Sequence, residues 1–345
     1  MILLPSTRYY GSKRKLVENI WNALESRHVE FDSVIDLFGG TGILSYYMAS
    51  KNKNVIYNDI MRFNCAIANA LLCTPRGSFS IEIAENLLVK REDFDYHYYV
   101  KEFYNGIYYT PSENESIDVV TQNISLLPEE LRNSAYYVLF QSCLIKRPFN
   151  LFHRRNLNLR ENYVESSFGN KKTWEKPFDL LFSRFTSELN QFQFAKVPNV
   201  LIMNESALHL NAHADLVYID TPYFSQKGSP VSYHDRYHFL EGLMNYDQIP
   251  EHINYDKVNR ELDFGVCREF EDRTSYVQNL HELLDNHHDS IIALSYTSNG
   301  YPSPEDLADI IGQHKEHVEI IDLGEHSFAL NRSNKGRREV LILGM

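Results

Sequence analysis

Two hydrophobic patterns alternate between residues 13 and 72. Apolar residues spaced three or four positions apart indicate amphipathic helices, and short continuous apolar runs indicate buried strands. Together they predict a helix at 13–26, a strand at 34–38, a helix at 43–50, a strand at 55–58 and a helix around Phe63, Ile67 and Leu71. Strands that alternate with helices in this way form a mostly parallel sheet.

The alternation stops after residue 73 and resumes near residue 199. Residues 74–198 contain helical patterns without strand-turn-helix units. The chain then alternates again, with predicted strands at 200–203, 216–219, 291–295, 318–323 and 340–343 and predicted helices at 277–284 and 304–314. Residues 224–273 form a connection long enough to mark a functional loop.

This organisation predicts an α/β protein with two domains. One domain combines residues 1–73 and 199–345 around a mixed, mostly parallel sheet with a terminal antiparallel strand. Residues 74–198 are expected to form an inserted, largely helical lobe. A chain of 345 residues is long enough to build both.

The composition limits where the protein works. Hydrophobic residues make up 43% of the sequence, and no apolar run approaches the ~18 residues that a membrane span needs. The N-terminus lacks the basic lead of a secretory signal, and the four cysteines stand too far apart for a disulfide framework or a thiolate metal site. We therefore expect a cytoplasmic protein with no membrane contact and no bound metal.

The formal net charge of −12 confines any nucleic-acid contact to a local basic patch, because phosphate binding depends on Lys and Arg. Residues 146–176 contain eight basic and three acidic residues, a local charge of +5. Phe, His and Asn side chains between them could stack on bases or bond to base edges. A solvated surface loop would give the same pattern. The nucleic-acid contacts predicted here come from Lys146, Arg147, Arg154 and Arg155.

A glycine-rich turn, Asp36 to Gly42, follows the first predicted strand. Its glycines let the backbone approach a ligand at the start of the next helix. A Walker phosphate loop is excluded because no Gly-Lys-Ser/Thr follows, and the dinucleotide fingerprint lacks its third glycine. Asp59, after the next strand, stands where an acid binds both hydroxyls of a ribose. An ordinary turn and a helix N-cap are the alternatives to a nucleoside-containing cofactor.

The tetrapeptide Asp220-Thr221-Pro222-Tyr223 follows a short apolar strand. An amino group conjugated to a purine is a poor nucleophile because its lone pair is delocalised into the ring. A carboxylate and a backbone carbonyl that accept from both N–H groups favour a tetrahedral nitrogen, and Tyr223 can stack on the base. An Asp-x-Pro turn after a strand is also an ordinary structural feature.

Four motifs in this order resemble the Dam-like class of DNA N6-adenine methyltransferases, including those of restriction-modification systems. They are Tyr9-Tyr10-Gly11-Ser12-Lys13, the glycine-rich turn, Asp59 and the Asp220–Tyr223 tetrapeptide. The resemblance covers residues 8–72 and 200–345, while the inserted segment matches only in position and size. It implies a Rossmann-like class I fold that uses S-adenosylmethionine, with residues 74–198 as the target-recognition lobe.

Carried over to this sequence, the resemblance implies roles for individual residues. The methionine end of S-adenosylmethionine would be bound by Tyr9 and Lys13, with Lys13 at its carboxylate. Asp59 would bind the ribose. The remaining residues expected around the cofactor are Tyr10, Asp36, Phe38, Gly39, Gly40, Gly42 and Asp220.

The tetrapeptide would hold the flipped adenine through its four residues, Asp220, Thr221, Pro222 and Tyr223. Thr221 departs from the family pattern, which usually has proline there, but its main-chain carbonyl survives the change. Asp220 favours adenine, because related enzymes that act on cytosine commonly have serine at this position.

Two further segments are candidates for substrate contact. Arg236, shortly after the tetrapeptide, could bind a phosphate, and Asn331 to Arg338 has the composition of a basic turn. We expect a monomer that methylates an adenine rotated out of duplex DNA, with a cognate restriction endonuclease as a further partner. Methylation of adenine in RNA and a non-catalytic subunit that binds cofactor or nucleic acid are the open alternatives.

Overall fold

The structure is a computed structural model that describes residues 2–6, 8–162, 171–225, 232–325 and 338–345. The chain divides into two compact units. The first consists of Met1–Ile60, Pro198–Tyr233 and Cys267–Met345, and the second consists of Met61–Val197 and His234–Val266. Of the basic turn at 331–338, residues 331–337 lie outside the described residues.

Within the described residues, the strands all belong to the first unit. In chain order they are β1 (Ser33–Asp36), β2 (Asn54–Asn58), β3 (Val200–Met203), β4 (Leu216–Ile219), β5 (Phe224–Ser225), β6 (Ile291–Thr297), β7 (Gly300–Tyr301), β8 (Val318–Glu325) and β9 (Arg338–Gly344). Among the described residues, seven of them form one sheet in the order β3-β2-β1-β4-β6-β9-β8. The short strands β5 and β7 form a separate antiparallel pair that the sequence patterns did not predict.

The seven-stranded sheet confirms the fold class predicted from the sequence. The strands from β3 to β6 pair in parallel, while β9 runs antiparallel to both β6 and β8. The central strand β4 is buried at every position, as expected for a parallel strand that has helices on both faces of its sheet. This arrangement is the class I methyltransferase fold, a mixed sheet whose last strand is antiparallel.

The α-helices are distributed over both units. In chain order they are α1 (Val17–Glu25), α2 (Ile43–Ser50), α3 (Arg62–Leu72), α4 (Ile81–Asn86), α5 (Tyr99–Phe103), α6 (Pro111–Ser125), α7 (Glu129–Ile145), α8 (Asn158–Glu161), α9 (Phe178–Phe192), α10 (Tyr233–Met244), α11 (Ile249–His252), α12 (Tyr276–Asn286) and α13 (Pro304–Ile311). The predicted helix at 13–26 is a 3-10 turn at Lys13–Lys15 followed by α1.

The core of the first unit packs α12 and α13 against the sheet. Leu280, Leu283 and Leu284 of α12 belong to the same buried cluster as the apolar side chains of β4 and β6. The 3.6-residue period of α12 places these leucines on one face, which is why the pattern was visible in the sequence. Burial of this face fixes β4, the strand that ends directly before the Asp220–Tyr223 tetrapeptide.

The second unit is helical in its described part, and α7 packs against α3 and α9 within it. The first turn of α3 is closed by a side chain distant in sequence. The buried Glu241 carboxylate accepts hydrogen bonds from the backbone N–H groups of Arg62 and Phe63, both at 3.2 Å. These N–H groups would otherwise lack helical partners, so Glu241 supplies the cap that the N-cap residue Met61 does not.

Residues 74–197 of the predicted lobe belong to the second unit, together with 61–73 and 234–266. Their role in target recognition remains a prediction. Across the described chain, none of the helices combines the length and the apolar character that crossing a membrane requires.

Candidate functional site

Three of the predicted motifs follow strands that end at the same edge of the sheet. β1 ends at Asp36, β2 at Asn58 and β4 at Ile219, and the three strands are parallel neighbours. In open α/β sheets, ligands bind at the carboxyl ends of the strands, where the connecting loops meet. The fold therefore brings the glycine-rich turn, Asp59 and the tetrapeptide to one edge.

The glycine-rich turn has a backbone that its glycines make possible. Gly40 and Gly42 adopt left-handed φ values of +48° and +68°, which L side chains rarely adopt. A Cβ atom at Gly39 would lie 2.1 Å from the ring of Tyr57, so this position admits no side chain. The Tyr57 hydroxyl in turn donates a 2.8 Å hydrogen bond to the carbonyl of Gly40 and fixes the turn against β2.

Asp59 is buried beside this turn, and its Oδ2 accepts a 2.8 Å hydrogen bond from the Gly40 N–H. A helix N-cap is the alternative interpretation of Asp59. The N-cap position of α3 is held by Met61 instead. The structure thus pairs the acid with the glycine-rich turn, as a ribose-binding acid requires, and the ribose contact itself remains a prediction.

Asp36, the last residue of β1 and the first of the turn, carries a buried carboxyl group. Its Oδ2 accepts a 2.7 Å hydrogen bond from Ser45 Oγ on α2. Burial raises the pKa of Asp36 to about 7 despite this hydrogen bond, and the charges of Asp220 and Asp59 raise it further. Asp36 is therefore partly protonated near neutral pH.

Asp220 and Tyr223 form the centre of an ionic cluster with Lys13. The Tyr223 hydroxyl donates a 2.8 Å hydrogen bond to Asp220 Oδ1, and Lys13 Nζ lies 3.2 Å from the same oxygen. Lys13 Nζ also bonds to the Tyr223 hydroxyl and lies 4.7 Å from the centre of the Tyr223 ring. The rings of Tyr296 and Tyr223 pack edge to face, with the ring centres 5.0 Å apart.

Glu339 belongs to the same cluster, although the sequence patterns did not identify it. This residue of β9 is fully buried, and its Oε2 lies 3.1 Å from Lys13 Nζ and 3.3 Å from the Tyr223 hydroxyl. Its signal in the sequence was a charged residue that stands next to Arg338, directly before the apolar run of the last strand. Such a residue needs a partner when the strand is buried, and Lys13 is that partner.

The charges of the cluster influence one another's protonation. Burial raises the pKa of Asp220, Lys13 lowers it in opposition, and the nearby charge of Glu339 raises it again. Burial alone would lower the pKa of Lys13, but Asp220 and Glu339 outweigh it and the pKa is raised. Lys13 is therefore a permanent cation between two carboxyl groups. Its ammonium group contacts Asp220 and Tyr223 of the tetrapeptide. The contact with a cofactor carboxylate remains a prediction.

Thr221 and Pro222 complete the turn. Thr221 is buried, and its Oγ1 makes a 2.8 Å hydrogen bond with the hydroxyl of Tyr276 at the start of α12. Tyr276 stands directly before the helix predicted at 277–284, and it belonged to no predicted site. The departure from proline at residue 221 thus introduces a side-chain contact into the turn.

The N-terminal motif packs its aromatic rings on Tyr233. The rings of Tyr9 and Tyr233 stack with centres 5.5 Å apart and planes 10° apart, and Tyr10 packs on the same ring at 6.5 Å. Gly11 adopts φ +79°, and a Cβ atom there would lie 2.7 Å from the Tyr233 hydroxyl. A Cβ atom at Gly40 would lie 3.5 Å from the Tyr9 ring, so Tyr9 faces the glycine-rich turn.

Two of the predicted DNA contacts are corrected by burial in the second unit. Lys146 and Arg147 are at most 1% exposed. Lys146 Nζ pairs with Glu113 at 2.7 Å and donates to the carbonyl of Trp174, while Arg147 donates to backbone carbonyls, including that of Leu151. As placed, neither head group can reach a phosphate. Both are internal cations that hold the surrounding loops.

The other predicted phosphate contacts are accessible. Arg154 and Arg155 are exposed, and Arg236 is half-buried. Arg155 donates a 2.9 Å hydrogen bond to the carbonyl of Gly106, and the Arg236 carbonyl accepts from the Phe152 N–H at 2.9 Å. Arg154 and Arg155 therefore lie at the surface of the second unit, and the DNA contact of all three residues remains a prediction.

Comparison with known proteins agrees with the geometry of the first unit. A family model described as D12 class N6 adenine-specific DNA methyltransferase matches residues 9–292. The chain is 22% identical over 352 aligned positions to Type II methyltransferase M2.HphI of Haemophilus parahaemolyticus, covering 98% of this chain and 96% of that protein.

Two further relatives resemble most of the chain. Type II methyltransferase M.CviAII of Paramecium bursaria Chlorella virus 1 is 24% identical, over 89% of this chain and 88% of its own length. Modification methylase StsI of Streptococcus sanguinis is 25% identical over 88% of this chain, which corresponds to 46% of that longer protein.

The raised pKa of Asp36 predicts a pH dependence of stability. The unfolded chain releases this proton near pH 4, whereas the folded protein releases it only near pH 7. The folded state therefore loses stability as the pH rises between these values, and loses no more above them. Asp36→Asn keeps an acceptor for Ser45 but does not ionise. Between pH 5 and pH 8, the urea midpoint of the wild type should fall more than that of the variant.

The exposed Asp309 provides the control for this prediction. Asp309→Asn should show the same pH dependence as the wild type. A constant difference between wild type and Asp36→Asn at the two pH values would contradict the assignment of the proton to Asp36.

Proposed function

The chain belongs to the D12 class of N6 adenine-specific DNA methyltransferases, and from this membership we propose that its Asp220–Tyr223 turn methylates adenine with S-adenosylmethionine as donor. Adenine-specific methylation of DNA at N6 is the activity that describes the family, and the similar proteins are named as type II methyltransferases and a modification methylase.

The arrangement of the Asp220 carboxylate carries the proposal. Both of its bonds within the described residues go to Oδ1, one from the Tyr223 hydroxyl and one from Lys13. Oδ2 is thus left as the acceptor for an incoming N–H group, and the side chain retains 19% exposure. A carboxylate that is fixed at one oxygen and open at the other suits an amino group that must be oriented before it reacts.

The chemistry requires such orientation. The lone pair of the adenine amino nitrogen is delocalised into the ring, so hydrogen bonds from both N–H groups are needed to make the nitrogen more tetrahedral. Asp220 Oδ2 would accept one, and a main-chain carbonyl of Thr221 or Pro222 would accept the other. Positioning and fixed dipoles of this kind account for most of the catalysis available without a covalent intermediate. Tyr223 would stack on the base, with its hydroxyl held by Asp220 and Glu339.

The donor set around the glycine-rich turn fits S-adenosylmethionine. The turn has a backbone open to a ligand at Gly40, with the Tyr9 ring facing it, and Asp59 beside it is a suitable acceptor for ribose hydroxyls. We assign Tyr9, Tyr10, the residues Asp36 to Gly42 and Asp59 to binding this molecule. It supplies a methyl group on a positively charged sulfur, and the carboxylates of this edge offset that charge.

Target recognition is assigned to the second unit. Its exposed Arg154 and Arg155 would contact DNA phosphates, and the half-buried Arg236 would add a third contact. Together with the names of the relatives, this supports a restriction-modification role with a cognate endonuclease acting on the same DNA sequence. We further propose that the enzyme is a cytoplasmic monomer.

Asp220→Asn should separate chemistry from binding when compared with Asp59→Asn. Asp220→Asn should lower the single-turnover rate of methyl transfer by about 10²-fold or more, because a positioned acceptor is lost. Asp59→Asn should weaken binding of S-adenosylmethionine about tenfold while the rate at saturating donor is nearly kept. Calorimetric binding and tritium transfer to unmethylated duplex DNA measure the two effects. Full activity in Asp220→Asn would remove the tetrapeptide from the mechanism.

Glu339→Gln should move the acid limb of the pH–rate profile. Burial and the charge of Glu339 both raise the pKa of Asp220, and the variant removes that charge while keeping the side-chain shape. Asp220 should then stay ionised to lower pH, so methyl transfer persists at more acidic values than in the wild type. The measurement is the single-turnover rate across pH, with the exposed Glu305→Gln as control. An unchanged acid limb would show that Glu339 does not influence the reacting carboxylate.

Arg154→Ala with Arg155→Ala should weaken DNA binding and flatten its salt dependence. Each lost phosphate contact lowers the slope of log K against log salt by about 0.9. Arg91→Ala with Lys101→Ala is the matched control, because it removes the same charge from the same unit where the cations pair with Asp93 and Glu115. Equal slopes for the two double variants would place the DNA-binding surface elsewhere.

A further inference from the structure

Thr221 replaces a proline in the reacting turn, and the residue that contacts it lies at the start of α12. We propose that Tyr276 is a positioning residue, which fixes the Asp220–Tyr223 turn through its hydrogen bond with Thr221 and so replaces the rigidity of a proline ring. The inference rests on the proposed function of this turn. It concerns a residue that does not touch the reacting atoms.

The contact is short and buried. Thr221 is 2% exposed and Tyr276 is fully buried, and their oxygens lie 2.8 Å apart. The Tyr276 ring is held edge-on by Phe224 at 5.2 Å and by Phe270 at 5.9 Å. A hydroxyl in such an apolar cluster has a fixed direction, so the bond defines where Thr221 can lie.

The turn needs this hydrogen bond, because without it the first residues of the turn are held from one side. Asp220 is anchored through Oδ1 by Lys13 and Tyr223, but Thr221 lacks the ring that restricts φ in proline. A shift of about 1 Å at a reacting group can cost about 10²-fold in rate. Thr221 lies between the carboxylate and Pro222, and the bond to Tyr276 limits that shift.

The two sides of the contact constrain each other. Proline at residue 221 would leave the Tyr276 hydroxyl without this bond in an apolar cluster, and phenylalanine at residue 276 would leave the Thr221 hydroxyl without it. A buried hydroxyl without a hydrogen bond is costly. Thr at residue 221 therefore goes with Tyr at residue 276, and Pro at residue 221 goes with Phe at residue 276. Either other combination leaves one buried hydroxyl without this hydrogen bond.

The experiment is a double-mutant cycle measured as the single-turnover rate of methyl transfer to duplex DNA. Thr221→Val and Tyr276→Phe should each lower the rate about tenfold, equivalent to about 1.4 kcal/mol. The combination of the two should be no slower than either alone, because both remove the same bond. Thr221→Ser keeps the hydroxyl and should therefore be faster than Thr221→Val. Thr221→Pro should be slow alone and recover when combined with Tyr276→Phe.

Binding and stability measurements separate positioning from a structural role. Dissociation constants for S-adenosylmethionine and for DNA should stay within about twofold of the wild type. Ser290→Ala is the control, because it deletes a buried hydroxyl bond to the Ala214 carbonyl at the opposite end of β4 and β6. It should lower the thermal midpoint without lowering the rate.

A wild-type rate in Tyr276→Phe would overturn the proposal, and so would losses that add in the combined Thr221→Val and Tyr276→Phe variant. A combined Thr221→Pro and Tyr276→Phe variant whose rate stays as low as that of Thr221→Pro alone would also contradict the proposal. These results differ from a failure of the proposed function, which would appear as full activity in Asp220→Asn.

Discussion

One buried ammonium group holds together the parts of the reacting edge. Lys13 lies between Asp220 and Glu339, which come from the turn after β4 and from the last strand, and Glu339 is 326 positions away in sequence. Removing one partner of a buried ion pair costs about 3–5 kcal/mol, because the remaining charge is uncompensated. The N-terminal segment, the turn and β9 are therefore mutually dependent. Tyr223 bonds to all three charged groups and takes its position from them.

The charge at this edge suits a cationic donor. At this edge, Asp36, Asp59, Asp220 and Glu339 carry carboxyl groups, and Lys13 carries an ammonium group. Since burial raises the pKa of Asp36 to about 7, this group is only partly ionised at neutral pH. The partial protonation of Asp36 reduces the negative charge that is buried at this edge. A positively charged sulfur would be attracted to it, whereas an unbound site avoids part of the repulsion among its carboxylates.

The sequence predicted what depends on local pattern and missed what depends on distant contact. The strands at 200–203 and 216–219 match β3 and β4, because a short apolar run between turn residues is typical of a strand in a parallel sheet. Glu339 was missed because its partner is remote in sequence. Lys146 and Arg147 were predicted to bind DNA because their charge is visible in the sequence, while Glu113 and the carbonyls that receive them are not identifiable without the fold.

The antiparallel last strand explains how a residue near the chain terminus joins a site built from parallel strands. Parallel neighbours bring their carboxyl ends to the reacting edge, and an antiparallel strand brings its amino end there. Glu339 is the second residue of β9 and pairs with Thr297, the last residue of β6. A parallel strand in this place would have carried its first residues to the opposite edge. The same reversal leaves Val340 to Leu343 buried behind Glu339, so the apolar run that marks the strand also fixes the carboxylate beside Lys13.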